Sequence, residues 1–109
     1  MEPAVKLSHT SALILHTIDS GYAYGFDIME VTGLPSGTIY PALRRLEKDS
    51  LILGTWEDRR SAFSQDRPQR RFYKLTKQGK ETLSGALRRY PLLARLAPAP
   101  AGKEKPVRR

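Results

Sequence analysis

The stretch PSGTIYPALRRLEKDSLI, residues 35–52, decides the fold. From Ile39 onward apolar side chains fall at Ile39, Ala42, Leu43 and Leu46, the three-and-four spacing that sets one face of a helix against a core. Stepping about 100° per residue puts Gly37, Pro41, Arg44 and Lys48 on the opposite side, flanked by Tyr40 and Arg45. The outer face is thus small where the helix begins and cationic further along. Such a helix start can come close to a polyanion, with free backbone N–H groups toward phosphate and arginines toward guanine edges or phosphate oxygens. The plainer alternative is an amphipathic helix with a solvated basic face. Pro41 is tolerated near a helix start, most readily with Thr38 as N-cap and less so with Ser36.

Upstream, SHTSALILHTIDS (residues 8–20) gives capping candidates followed by Ala12, Leu13, Ile14, Leu15 and Ile18, a mostly buried helix closed by Gly21. A shorter helix is expected from about Tyr24 to Thr32, with Phe26, Ile28, Met29 and Val31 apolar and Gly33 as its stop. Only residues 33–36 separate it from the third helix, the short connection of a helix-turn-helix. Downstream the period changes. ILGTWE (52–57) and RRFYKLT (70–76) read as two antiparallel strands joined by a long polar loop. LTKQGKETL then returns to helix, with Thr76 as N-cap and Leu83, Leu87 and Tyr90 spaced four and three apart. Pro91 should bend that helix or restart it. The segment APAPAGKEKPVRR reads as a disordered basic tail. The expected division is therefore 1–76 for a winged helix-turn-helix domain, 77–97 for a C-terminal helix and 98–109 for the tail. The fold class is mainly α with a small β-hairpin: three helices, two strands and a fourth helix.

With 109 residues one domain is expected, and a core of this size is modest enough that oligomerisation would help it. No apolar run approaches the roughly 18 residues of a membrane span. The N-terminus MEPAVKLSHT lacks the features of a secretory signal, and the absence of cysteine excludes disulfides and thiolate metal sites; both fit a cytoplasmic chain. The formal charge of +8 is uneven: one Lys against four acids gives −3 over residues 1–34, whereas residues 55–97 carry +7. Between Arg59 and Lys80 eight Lys or Arg face the single acid Asp66. Such polarised charge points to nucleic acid as partner, with a solvated loop as the plainer reading.

Catalytic chemistry finds no foothold. His9 and His16 lie two turns apart on one face, about 10 Å along a helix axis, too far to share a metal, and read as satisfied structural histidines. No phosphate-cradling glycine motif, nucleophile elbow or carboxylate pair is present. No cofactor is expected. Trp56, Phe72 and Tyr73 are expected to pack across the hairpin onto the helices, with an effector pocket as the other role for Trp56. Glu57 and Asp58 read as local charge partners.

GTIYPALRRLEKDSLI resembles the signature of the PadR family of transcriptional regulators, in which a Gly, a Tyr-Pro pair and a Leu-Glu pair occur in this order. YGFDI (24–28) is similar to that family's second-helix segment, and RRFYKLTKQG (70–79) to its wing strand. The resemblance covers roughly residues 8–85. It implies a homodimer that binds pseudo-palindromic double-stranded DNA, usually as a repressor released by a small-molecule effector. Carried over by position, Ser36, Gly37, Thr38, Tyr40, Pro41 and Arg44 would lie at the DNA surface. Tyr24, Arg67, Arg70 and Arg71 would contact its backbone. Leu83, Leu87, Tyr90 and Leu93 would form the dimer face, with help from the first helix. The chain departs from the family at Ser50, where Gly is usual and a positive φ would make serine costly. It departs again at Pro91, in the dimerisation helix. A basic winged-helix module that binds RNA or a protein without reading DNA sequence is the rival reading.

Overall fold

The computed structural model describes residues 7–66 and 68–95. Its elements are α1 (His9–Asp19), α2 (Gly25–Thr32), α3 (Ser36–Lys48), β1 (Ile52–Trp56), α4 (Arg59–Ser64), β2 (Arg71–Leu75), α5 (Lys77–Arg89) and α6 (Pro91–Arg95). β1 and β2 form a two-stranded antiparallel hairpin in which Ile52 faces Leu75 and Trp56 faces Arg71. A winged helix-turn-helix is therefore the fold.

Local chemistry sets the boundaries. Ser8 caps α1 by accepting from Ser11 N–H, and Thr76 caps α5 by accepting from Gly79 N–H. Gly33 ends α2 in the left-handed region at φ 76°. Pro91 divides the last helix, with α5 ending at Arg89 and α6 starting at the proline itself, where a missing N–H costs least. Ile39, Ala42, Leu43 and Leu46 are the buried face of α3, as the spacing requires. They meet Ile14, Leu15, Ile28, Leu51 and Ile52 in one core, which α5 completes with Leu83 and Ala86. Each of these large aliphatic side chains contributes about 1.5–3 kcal/mol by leaving water.

Four expectations are corrected. The segment between the strands is not all loop: residues 59–64 form α4, too short for a periodic pattern to reveal. α3 begins one residue after Pro35, which occupies the N-cap with no side-chain bond, so Pro41 lies in the second turn rather than the first. The carbonyl of Gly37 consequently has no intrahelical donor, which is acceptable because Gly37 is exposed. Trp56 is 59% exposed and does not join the core, since it stands at the last rung of the hairpin, beyond the helices that cover Ile52. His16 is not satisfied: both ring nitrogens are buried without a hydrogen-bond partner among the described residues. His9 is exposed, its ring 4.1 Å from that of Tyr90. Arg67, residues 96–97 and the expected tail at 98–109 lie outside the described residues.

Candidate nucleic-acid interface

The outer face of α3 is open. Ser36, Gly37, Tyr40, Arg44, Arg45 and Lys48 are exposed, while Thr38 and Pro41 are half-buried. No side chain caps its start, where Thr38 and Ile39 N–H groups both turn back to the Pro35 carbonyl. Tyr40 leans across the start of α2. Its ring lies so close over Gly25 that a Cβ there would sit 2.6 Å from the Tyr40 hydroxyl. Glycine at position 25 is therefore what seats Tyr40, which remains 39% exposed. Tyr40 is neither buried in the core nor free of α2.

Backbone pairing fixes Tyr24. It forms an isolated antiparallel bridge with Phe72, and Tyr73 N–H donates to the Ala23 carbonyl at 2.9 Å, so the residues before α2 run alongside β2. The Tyr24 and Phe72 rings are 6.0 Å apart. Arg70 lies over the Tyr24 ring at 4.0 Å from its centroid, a cation–π contact. The same guanidinium is 3.5 Å from the buried Glu57 carboxylate, which also accepts from Arg70 N–H at 3.1 Å. Arg71 reaches Glu47 of α3 at 2.5 Å and stacks 5.3 Å from the Trp56 ring centroid. Each wing-root arginine is thus held in place by one carboxylate and one aromatic face, and Glu57 is the charge partner its position suggested.

These contacts bring Tyr24, Tyr40, Arg70 and Arg71 to a single groove of about 350 Å³, together with Gly25, Phe26, Trp56 and Tyr73. Burial raises the Tyr73 hydroxyl above the usual tyrosine range, and the carboxylate of Glu47 adds to this, while Arg71 works against them. Arg44 lies further along α3 and makes no ion pair among the described residues, so its charge is open to an outside partner. Trp56, expected to pack with a pocket as its other role, lines this groove, and so does Phe26, an apolar position of α2 that is 53% exposed. Their burial could not be told from hydrophobicity alone, because an apolar position at the end of a strand or the start of a helix has no fixed inward side.

The four residues expected at a dimer face lie at the other end of the chain's described part. Leu83 and Leu93 are 3% and 6% exposed, inside this chain's own core, and Leu87 packs against it. Tyr90 donates its hydroxyl to the Leu7 carbonyl at 3.1 Å. The outward apolar residue is Leu92, 69% exposed, at the rim of a hollow of about 340 Å³ formed with His9, Tyr90, Pro91 and Leu93. Among the described residues no group of His, Asp and Glu could hold a metal, and no helix is long and apolar enough to cross a membrane.

The fold is shared with solved structures. A PadR family transcription regulator from Clostridium difficile R20291 superposes with a TM-score of 0.68 at 24% identity, covering 82% of this chain and 94% of that one. A PadR-like transcription factor from Bacteroides fragilis gives 0.63 at 27% identity, with 78% and 82% covered. A Streptococcus transcriptional regulator gives 0.62 at 28%, with 78% and 84% covered. No curated protein matches the sequence. The model of the transcriptional regulator PadR-like family matches residues 14–85, which span α2, α3, the hairpin and most of α1 and α5, and the chain belongs to that family.

Proposed function

We propose that the chain is a cytoplasmic, homodimeric repressor that reads a pseudo-palindromic operator, with α3 in the major groove, the wing along the backbone and release by a small-molecule effector. One observation carries the reading. The uncapped start of α3 and the unpaired Arg44 share an exposed face that runs into the groove holding Tyr24, Tyr40, Arg70 and Arg71. Residues 1–76 would form the reading domain, residues 77–97 the dimerisation segment and residues 98–109 a basic tail. Ser36 and Gly37 would offer backbone N–H groups to phosphate with Thr38 beside them at the DNA surface, Gly37 and Pro41 would keep the approach free of bulk, and Arg44 would reach base edges. Tyr24, Arg67, Arg70 and Arg71 would hold the backbone. Two copies would place half-site centres about 34 Å apart or a multiple of this.

The test is a salt-controlled gel-shift titration on a duplex selected from a random pool. Arg44→Ala should cost about 1–3 kcal/mol on that duplex and relax preference at one base position, whereas Arg70→Ala should weaken all duplexes alike and reduce the salt slope. Unchanged affinity in both Arg44→Ala and Tyr40→Ala would remove α3 as the reading helix. Structured RNA competing as well as the selected duplex at matched salt would favour a module without sequence readout instead.

A further inference from the structure

The short helix in the wing carries a side chain that the interface above does not use. In α4, Ala62 is 2% exposed and anchors the inner side, while its neighbour Phe63 is 86% exposed. Arg59 and Arg60 precede Phe63 by four and three residues, the spacing that makes helix residues surface neighbours, and both are exposed. An exposed phenyl ring thus stands one turn along from two arginines, neither in an ion pair among the described residues. The helix is a built feature: Ala62 N–H donates to the Asp58 carbonyl, and Asp66 N–H closes the end on the Phe63 carbonyl at 2.9 Å. It is joined to the groove beside Tyr40, because Trp56 and Arg71, which form the last rung of the hairpin, both line that groove.

A single exposed apolar residue assigns nothing by itself. The two neighbouring arginines do, because a ring beside cations matches a surface that sets anionic groups next to apolar planes. Duplex DNA is such a surface once a base step is opened, with phosphates for the arginines and the unstacked base planes for the ring. We propose that Phe63 is a wedge that enters a base step from the minor groove and kinks the duplex once in each half-site, with Arg59 and Arg60 on the flanking phosphates. This rests on the DNA-binding reading above and adds a deformation, and hence a preference for flexible pyrimidine–purine steps, that α3 alone would not impose.

The experiment uses the full chain and a duplex that the wild-type chain has selected from a random pool. The duplex is end-labelled for energy transfer and carries 2-aminopurine at successive positions. The wild type should shorten the end-to-end distance and raise 2-aminopurine emission at one step per half-site. Phe63→Ala should lose both signals and bind about five- to a hundredfold more weakly, the range spanned by loss of one base–aromatic stack. Phe63→Leu should keep part of the bend, since leucine also serves as a wedge. Because the ring already stands in water, Phe63→Ala should melt as the wild type does. A duplex bound straight by the wild type, or bent equally by Phe63→Ala, overturns the wedge and leaves the DNA-binding reading intact. Loss of self-association in Phe63→Ala with unchanged DNA behaviour would assign the ring to a protein contact and also overturn it. A wild type that selects no duplex removes both proposals.

Discussion

Ser50 stands at φ 64°, in the left-handed region that costs an L-residue with a Cβ but not glycine. The reason lies in the end of α3. Ser50 N–H donates to the Glu47 carbonyl and Leu51 N–H to the Leu46 carbonyl, both at 3.0 Å, the paired bonds of a Schellman motif. Leu46 and Leu51, both buried, supply the apolar contact that goes with it. The serine side chain takes no part, since it is the Ser50 carbonyl that accepts from the Thr76 hydroxyl at 2.7 Å. Ser50→Gly should therefore stabilise the chain by about 0.5–1 kcal/mol, part of the relief being offset by the freer unfolded glycine. Thermal melting by circular dichroism should show a rise of about 2–8 °C. A second residue-scale expectation concerns Tyr73. Its hydroxyl is held above the usual tyrosine pKa of 10.0, chiefly by burial. The unfolded chain then loses this proton at lower pH than the folded one, so the associated stability is complete below pH 10 and falls as the pH rises through the raised value. Melting at pH 9 and pH 11 should show a smaller alkaline loss in Tyr73→Phe than in the wild type. Equal losses in the two would mean that the buried hydroxyl does not govern this slope.

At the scale of elements, α5 is seated by glycine. Gly79 is the third residue of the helix, and a Cβ there would overlap the Leu51 carbonyl oxygen. That carbonyl already accepts from Thr76 N–H at 3.1 Å, and Thr76 in turn caps α5 through Gly79 N–H at 2.9 Å. The Leu-Thr run followed by glycine is thus the joint at which the end of α3, the end of β2 and the start of α5 meet. Gly79→Ala must push backbone against backbone, and should cost about 2–3 kcal/mol in urea unfolding despite alanine's better helix propensity. A neutral or stabilising result would show that the joint can open without cost. This element scale is also where the sequence was most and least legible. The periodicity of Ile39, Ala42, Leu43 and Leu46 located α3 because a buried face imposes a repeat. The Tyr24–Phe72 bridge and the placement of Tyr40 on Gly25 left no periodic trace, because they join segments distant in sequence through backbone contact. α4 stayed hidden for a different reason: six residues, with Ala62 facing inward, are too few to show a period. Of the candidate interface, the outer face of α3 followed from the helical wheel, whereas the groove needed the hairpin's register.

At the scale of the whole molecule, the dimer proposed for operator recognition needs a surface that the chain's own core leaves open. Leu83 and Leu93 are already enclosed, and Tyr90 is held by Leu7 and His9. Leu92 is not, and Pro91 explains why: by starting α6 afresh it turns Leu93 inward and leaves Leu92 outside on the rim of an apolar hollow. A second copy covering that rim would bury an otherwise exposed leucine and tie two reading heads together. The tether makes the second half-site encounter intramolecular, at an effective concentration that exceeds the free one by orders of magnitude. Leu92→Glu should therefore convert the chain from a dimer to a 12.3 kDa monomer in sedimentation. It should weaken binding to the full selected duplex by about a hundredfold or more. Affinity for an isolated half-site should be unchanged, because Leu92 lies on α6 and lines neither the outer face of α3 nor the groove beside it. Loss of half-site affinity as well would mean that the substitution disturbs the domain itself, and a dimer that persists with full affinity would place the contact away from α6.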